Sequence, residues 1–494
     1  MNGYLSATLS SNRSLTFAAG AVVAIYSALV VWRPLLALAI ASGILVVVLG
    51  LHFFPSPQHF FLAALGLLLA GYAFLGKGFA YLPAKPVFGG EIVLALGILA
   101  ALLGGKTHLA FRSPLAWLVL AFAIDGALRT APYASRYGLD ALRDAVIWGY
   151  GAFAILVAAC LLQLECVRGV VERYRRWFPW LLFWLPVGYL AVVLIDGSLP
   201  VVSHAPPVTL LQLKPGDVAV QLAGVGCFIA LGLYKSPVKP STGLRPIFWW
   251  LAWLIAAALV VSMSRGAFLA IFLPVAFAFF LRPLAGWAKP AAMAVILAAG
   301  LFALNLRLDT GAARKVSVEQ IERNLASIVG DVPATSPLLG TRRWRLEWWR
   351  KIIDYTVFGK HFWTGKGFGI NLADSDGFQV TADHALRSPH DAHATILARM
   401  GVPGLALWLL LQGAFGLSLL WAYFRARVSG QDWWSRVDLW ILAFWLAFMV
   451  NGTFDVFLEG PQGGIWFWSL FGLGIAALEI QKRLPPGRQT IPQE

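Results

Sequence analysis

The chain has 494 residues, of which 59% are hydrophobic and 13% charged, with a mean hydropathy of +0.72 and a net charge of +15. Soluble domains carry about 25% charged residues, so a string of soluble domains is excluded; apolar content this high also excludes a disordered chain. Three cysteines exclude a disulfide scaffold, and in a membrane protein an excess of Lys and Arg reports topology before it suggests a nucleic-acid partner.

A helix crossing the hydrocarbon core needs about 20 mostly apolar residues. Such runs occur at 15–32, 35–54, 59–76, 87–103, 114–128, 145–164, 178–195, 217–234, 246–264, 266–281, 289–308, 402–424, 437–457 and 463–480. The pattern predicts an all-α, polytopic integral membrane protein of about 12–14 transmembrane helices. The first run follows a polar start with one Arg but no small-residue cleavage site, so it reads as a retained helix. Cys160, Cys166 and Cys227 lie in apolar runs and read as small hydrophobes. No internal repeat or low-complexity tract interrupts the series. Three units are expected: helices over 1–308, an external loop over 309–400 capping a site, and C-terminal helices over 401–494.

Lys and Arg in the short loops are more than twice as frequent on one side of this map as on the other. The positive-inside rule then puts both termini in the cytoplasm and the long 309–400 loop outside. Charges at span edges gather at the outer ends: Glu91, Asp125, Arg129, Asp140, Arg143, Asp144, Lys214, Asp217, Arg265, Asp455 and Glu459. Charges at such depth are functional candidates, although long side chains also snorkel to water. Arg265 stands out because the turn Ser262-Met263-Ser264-Arg265-Gly266-Ala267 gives it almost no loop. An anion is its natural partner, since guanidinium binds phosphate bidentately.

In the long loop, residues from Thr341 form an amphipathic pattern at 100° per residue, with Trp344, Trp348, Trp349, Ile352, Ile353, Tyr355 and Val357 on one arc. The pattern predicts an interfacial helix with Trp anchors and a basic face. Arg345 falls inside the apolar arc, directed either inward to a phosphate or onto a Trp ring. Gly365-Lys366-Gly367-Phe368-Gly369 lacks P-loop spacing and reads as a flexible turn. His390 and His393, in Ser388-Pro389-His390-Asp391-Ala392-His393, share one helical face. They suit either a metal with too few close ligands or a neutral general base.

Taken in order, these motifs resemble the O-antigen ligase/O-antigen polymerase superfamily. Its ligases carry His, then Asn, Ser or Gln, then nine residues, then Gly-x-x-Gly, Thr or Tyr. Here His390-Asp391, nine residues and Gly401-Val402-Pro403-Gly404 match, with Asp391 in place of the amide or hydroxyl. Ser264-Arg265-Gly266-Ala267 resembles the family's SRGA turn. Arg345, Trp348 or Trp349, and Gly367-Phe368-Gly369 resemble its loop pattern. The resemblance covers the C-terminal half.

It implies a type C-like glycosyltransferase of the bacterial inner membrane, using neither metal, nucleotide nor other cofactor, with its site facing the periplasm. Its donor is a glycan on undecaprenyl diphosphate, and its acceptor is a glycan, lipid A-core or similar hydroxyl compound in the bilayer, with no nucleic acid involved. Arginines hold the diphosphate, a role falling here to Arg265 and Arg345. His390 acts as base, with His393, Asp391 and Asp455 supporting the acceptor side. The family often has an Arg before the helix that starts here at 217. The nearest basic residue is Lys214, so either it substitutes or Arg129, Arg136 or Arg143 supplies the charge.

The alternative is a transporter or flippase of lipid-linked oligosaccharide. That activity calls for polar groups midway along several helices, and few are present. A structural role in an envelope assembly leaves the outer Arg/His constellation unexplained.

Overall fold

The computed structural model describes residues 50, 52–84, 87–195, 198–204, 207–235, 245–283, 288–304, 317–329 and 337–484. The expected span at 15–32 lies outside them, as does 35–54 apart from its last few residues. The chain divides into two units, Met1–Ala63 and Ala64–Glu494. In the first, the Ser56 hydroxyl accepts the His59 N–H at 3.4 Å and opens helix α1 (Pro57–Leu75), which runs on into the second unit.

Every expected span between 59 and 480 coincides with a helix. After α1 come α2 (Gly89–Gly104), α3 (Pro114–Tyr137), α4 (Leu139–Gly149), α5 (Gly151–Leu164) and α6 (Val167–Ile195). They are followed by α7 (Pro215–Ala230), α8 (Arg245–Met263), α9 (Arg265–Leu281) and α10 (Ala288–Leu304). The long loop carries α11 (Val318–Val329), α12 (Pro337–Thr356) and the single turn α13 (Leu372–Asp376). Helices α14 (Ala392–Val428), α15 (Asp432–Phe454) and α16 (Pro461–Gln481) complete the series.

Among the described residues, 7 helices are individually long and apolar enough to cross a membrane, and the bent pair α4–α5 makes an eighth. Helices α2, α7, α9 and part of α10 are apolar but shorter. Helix α7, of 16 residues, rises about 24 Å against a hydrocarbon core of about 30 Å. The only strands among the described residues are two short antiparallel pairs, Pro83–Ala84 with Val87–Phe88 and Val201–His204 with Pro207–Thr209. The protein is an all-α polytopic membrane protein.

The centre of the bundle is built from α16 on α5, α14 on α15, and α9 on α15 and α7. Of the apolar stretch of α16, 89% is buried, against 33% for α1, α3 and α6. Helices α7, α9, α14 and α16 begin, and α1, α8 and α15 end, at one end of this bundle.

Candidate active site

His390 is held between two rigid neighbours. On one side, the Trp349 indole of α12 donates to the Pro389 carbonyl at 3.1 Å. On the other, Asp391 is the N-cap of α14, its Oδ1 accepting the His393 N–H at 2.7 Å and the Ala394 N–H at 3.2 Å. His390 itself sits at φ +57°, the left-handed region, where non-glycine residues are uncommon and gather at functional sites. The capping role also accounts for Asp391 where the resemblance leads one to expect Asn or Ser, since all three serve about equally at an N-cap.

Helix α14 runs regularly to Met400 and then breaks at Gly401 (φ 72°, ψ −171°). The break strands carbonyls at the end of the first segment, and the glycine-rich loop satisfies them. Lys366 N–H donates to Ala398 O at 2.7 Å and Gly367 N–H to Arg399 O at 3.0 Å. A Cβ on Gly401 would stand 2.4 Å from Phe362 O, and one on Gly367 2.0 Å from the Tyr133 ring. The loop expected to be a flexible turn is therefore pinned, and its amides are spent on the kink.

The apolar arc of α12 also has a use the sequence did not show. Trp348 and Ile352 are fully buried, in a core shared with Leu372, Ala373, Leu397 and Ala398. Trp348 stacks on Phe378 at 5.3 Å and its indole donates to Asp376 Oδ2 at 2.7 Å. The arc expected to lie in a lipid interface thus packs mainly on the first segment of α14, with Ile353 and Val357 left exposed.

The turn after α15 closes the site. His390 Nδ1 stands 3.7 Å from Asp455 Oδ1, and Lys214 Nζ stands 4.0 Å from Asp455 Oδ2. Burial works to raise the Asp455 carboxyl, yet His390 and Lys214 hold it well below the usual carboxylate range. Burial works to lower Lys214, but the Asp455 and Asp217 carboxylates carry it above the ordinary lysine value. Arg345 Nη1 donates to Phe454 O at 2.8 Å, which settles its direction: it turns inward, beside Asp455. Arg265 is the first residue of α9, where Ser264 Oγ accepts the Ala267 N–H at 3.4 Å. A Cβ on the next residue, Gly266, would lie 2.9 Å from Phe454 Cβ, so Arg265 opens its helix against the same corner.

The structure adds Lys77, which no motif marks. Its amide donates to Gln212 O at 2.9 Å, and Gln212 N–H donates to Leu75 O at 3.0 Å. These bonds tie the Lys77 turn to the segment bearing Lys214. Burial lowers Lys77, as do the Lys214 and Arg143 charges, while Asp217 and Asp455 oppose them. Lys77, Lys214 and the exposed Arg143 therefore share one field. The only sequence signal was the place of Lys77 in an outer short loop.

Other candidates lie apart from this cluster. His393 Nδ1 accepts the Trp408 indole N–H at 3.0 Å, which leaves its proton on Nε2. The two histidines thus use their Nδ1 atoms on different partners. Arg129 pairs with Asp125 at 3.0 Å and bonds Trp363 O, and Arg136 lies over the Tyr137 ring at 5.2 Å. Of the alternatives for the second cation, Lys214 is the one at Asp455, and Arg143 acts with it on Lys77. Asp144 is an anchor that the sequence left unassigned: it accepts from Arg399 at 2.9 Å, Arg387 at 2.9 Å and the Gly369 N–H at 3.0 Å. Glu459, partly buried in the turn after α15, lies 2.8 Å from Thr395 Oγ1, and burial pushes its carboxyl up to about 7.

Residues 250–409 match the family model described as O-antigen ligase. No curated protein matches the chain. The matched segment contains Arg265, Arg345, His390 and the kink at Gly401, whereas Lys77, Arg143, Lys214 and Asp455 come from outside it. Over residues 250–409, about a third of its length, the chain is similar to the O-antigen ligase family.

Proposed function

We propose that the protein is a metal-independent, inverting glycosyltransferase that moves a glycan from undecaprenyl diphosphate to an acceptor hydroxyl at the outer face of the bacterial inner membrane. The acceptor is lipid A-core or another glycan, in ligation or in polymerisation. The observation that carries this reading is the meeting of the His390–Asp455 pair with cations from four separate segments at one end of the bundle.

His390 is the general base. The Asp455 carboxylate, 3.7 Å from Nδ1, favours the tautomer with its proton on Nδ1, so that Nε2 accepts the proton of the acceptor hydroxyl. The charge that develops on the imidazole is balanced by Asp455, a base-and-orienter arrangement of the kind that activates nucleophiles. The departing diphosphate gains negative charge as the glycosidic bond breaks. Arg265, Arg345, Lys214 and Arg143, joined by Lys77, stabilise it, and fixed cations at a leaving group contribute a few kcal/mol each. The positive N-terminal ends of α7 and α9 reinforce them. Asp391 and His393 fix the first turn of α14 and so the loop that presents His390. The distribution of Lys and Arg supports a periplasmic site, and a site at a helix-bundle end lets a polyprenyl tail remain in lipid.

The test is a purified preparation supplied with undecaprenyl-diphosphate-linked glycan and acceptor in detergent. Wild-type protein forms product with no bilayer to cross, which a flippase does not. His390→Ala and Arg265→Ala fold and insert but lose about 10²-fold or more of the turnover. Normal product from either variant removes that residue from the mechanism.

A further inference from the structure

Two contacts join the turn after α15 to the segment that bears His390. Asp455 meets His390 itself. Four residues on, Glu459 meets Thr395 in the first turn of α14. The second contact poses a problem in proton counting. Thr395 Oγ1 lies 2.9 Å from Asp391 O and 2.8 Å from Glu459 Oε1. A hydroxyl has one proton to donate and lone pairs with which to accept. The backbone carbonyl of Asp391 is only an acceptor, so a Thr395 hydroxyl bonded to it has no proton left for Glu459. Both bonds are made at full strength only when Glu459 carries a proton and donates it to Thr395. The chain then runs in one direction, from the Glu459 carboxyl to the Thr395 hydroxyl to the Asp391 carbonyl.

That carbonyl belongs to the residue immediately after His390, whose backbone is left-handed. A strained conformation persists only where its surroundings over-determine it. The Asp391 carbonyl is held by the Thr395 amide at 2.9 Å as well as by the hydroxyl, and the Asp391 side chain is occupied with capping. Ionised, Glu459 competes for the single Thr395 proton and puts a second negative charge in the turn that already holds the Asp455 carboxylate. The other groups facing Glu459 are the Ser388 hydroxyl, two residues before His390, and the charged Arg399 from α14 and Asp144 from α4. Arg399 is engaged with Asp144 at 2.9 Å, so it is not available to Glu459 as a dedicated ion-pair partner.

We propose that Glu459, in its neutral form, is a positioning residue that holds His390 in its working conformation through Thr395 and the Asp391 carbonyl, so that glycan transfer fails as the pH rises and Glu459 ionises. This rests on the reading of His390 as the base. The raised carboxyl agrees in sign: the folded state holds a proton that the unfolded chain releases at the ordinary glutamate value, so the stabilisation present in acid is lost as the pH rises toward about 7.

The experiment is the pH dependence of the transfer rate in the purified full-length protein. The wild type is expected to lose activity on an alkaline limb centred near the Glu459 transition. Glu459→Gln keeps a donor for Thr395 and cannot ionise, so it retains near-wild-type activity below neutrality and the limb moves to higher pH. Thr395→Ser retains the profile, whereas Thr395→Val lowers the rate at every pH. Infrared spectra below neutral pH should show a protonated-carboxyl band in wild type that Glu459→Gln lacks. A Glu459→Gln profile superimposable on wild type, or a wild-type spectrum without that band, overturns the proposal. His390→Ala is the control for the underlying reading: its activity, not that of the Glu459 variants, shows whether His390 is the base.

Discussion

The two ends of the bundle use their cations differently. At the end where α9 stops and α15 starts, several are paired or stacked within that end. Arg436 pairs with Asp432 at 2.6 Å one helical turn away, Arg282 bonds Ser435 at 3.0 Å and also Asp432, Lys482 pairs with Glu479 at 2.6 Å, and Arg168 lies over the Trp433 ring at 4.9 Å. At the opposite end, Lys214 and Arg345 reach Asp455 and the Phe454 carbonyl from segments distant in sequence, Lys77 shares the field of Lys214, and Arg265 opens α9 beside Phe454. Local pairing stabilises and orients a helix end, while convergence leaves a concentrated positive field around a histidine. A high count of arginines does not distinguish a topology signal from a binding site; whether several of them face one shared group does.

The sharpest break of this contrast is His390→Ala. Loss of a general base costs about 10²–10⁴-fold, read as the turnover of lipid-linked glycan by purified protein; Asp455→Asn is expected to reproduce much of that loss. Next is Arg265→Ala, which removes a fixed charge from the leaving group and is expected to lower turnover by about 10²–10³-fold. Lys77→Met tests the residue that only the fold revealed: losing one charged contact of about 1.5–3 kcal/mol corresponds to roughly a 10–100-fold loss, measured as donor KM and turnover. Lys77→Met with unchanged kinetics would remove that lysine from the donor site.

Gly401→Ala addresses the scaffold instead. An added Cβ 2.4 Å from Phe362 O, in a left-handed conformation, is expected to cost about 1–3 kcal/mol in thermal unfolding. The smallest effect belongs to the other end. Arg436→Ala breaks a partly exposed pair and should cost under about 1 kcal/mol in stability, with turnover preserved. If Arg436→Ala lowered turnover as Arg265→Ala does, the distinction between the two ends would collapse.

Hydropathy placed each described span on a helix, because a bilayer imposes the same apolar requirement on each crossing, but it set the starts of α6 and α14 well inside those helices. It gave no sign of which helices are central. Helix α16 has a hydropathy of 1.5 and is 89% buried, while α6 reaches 2.0 and is 33% buried. Lipid and protein interior are equally apolar, so burial leaves no hydropathy signature. The same ambiguity sent the Trp-rich arc of α12 to a lipid interface in the sequence, whereas Trp348 and Ile352 fill a core inside the protein.

The candidate site divides along a similar line. His390, Arg265 and Arg345 were legible because each lies in a short motif whose spacing survives in one stretch of chain. Asp455 and Lys214 were legible only as charges at an outer span edge. Glu459 had that same signal, and Lys77 only its place in an outer short loop. The sequence by itself determined the helical membrane class and the approximate placement of the described helices, since these follow from composition and local periodicity. Only the tertiary structure decided that Asp455 faces His390, that Lys77 joins Lys214, that Asp391 serves as a cap and that Thr395 stands between Glu459 and the Asp391 carbonyl. Those are contacts between distant segments, fixed by how helices pack and where a glycine lets one of them bend.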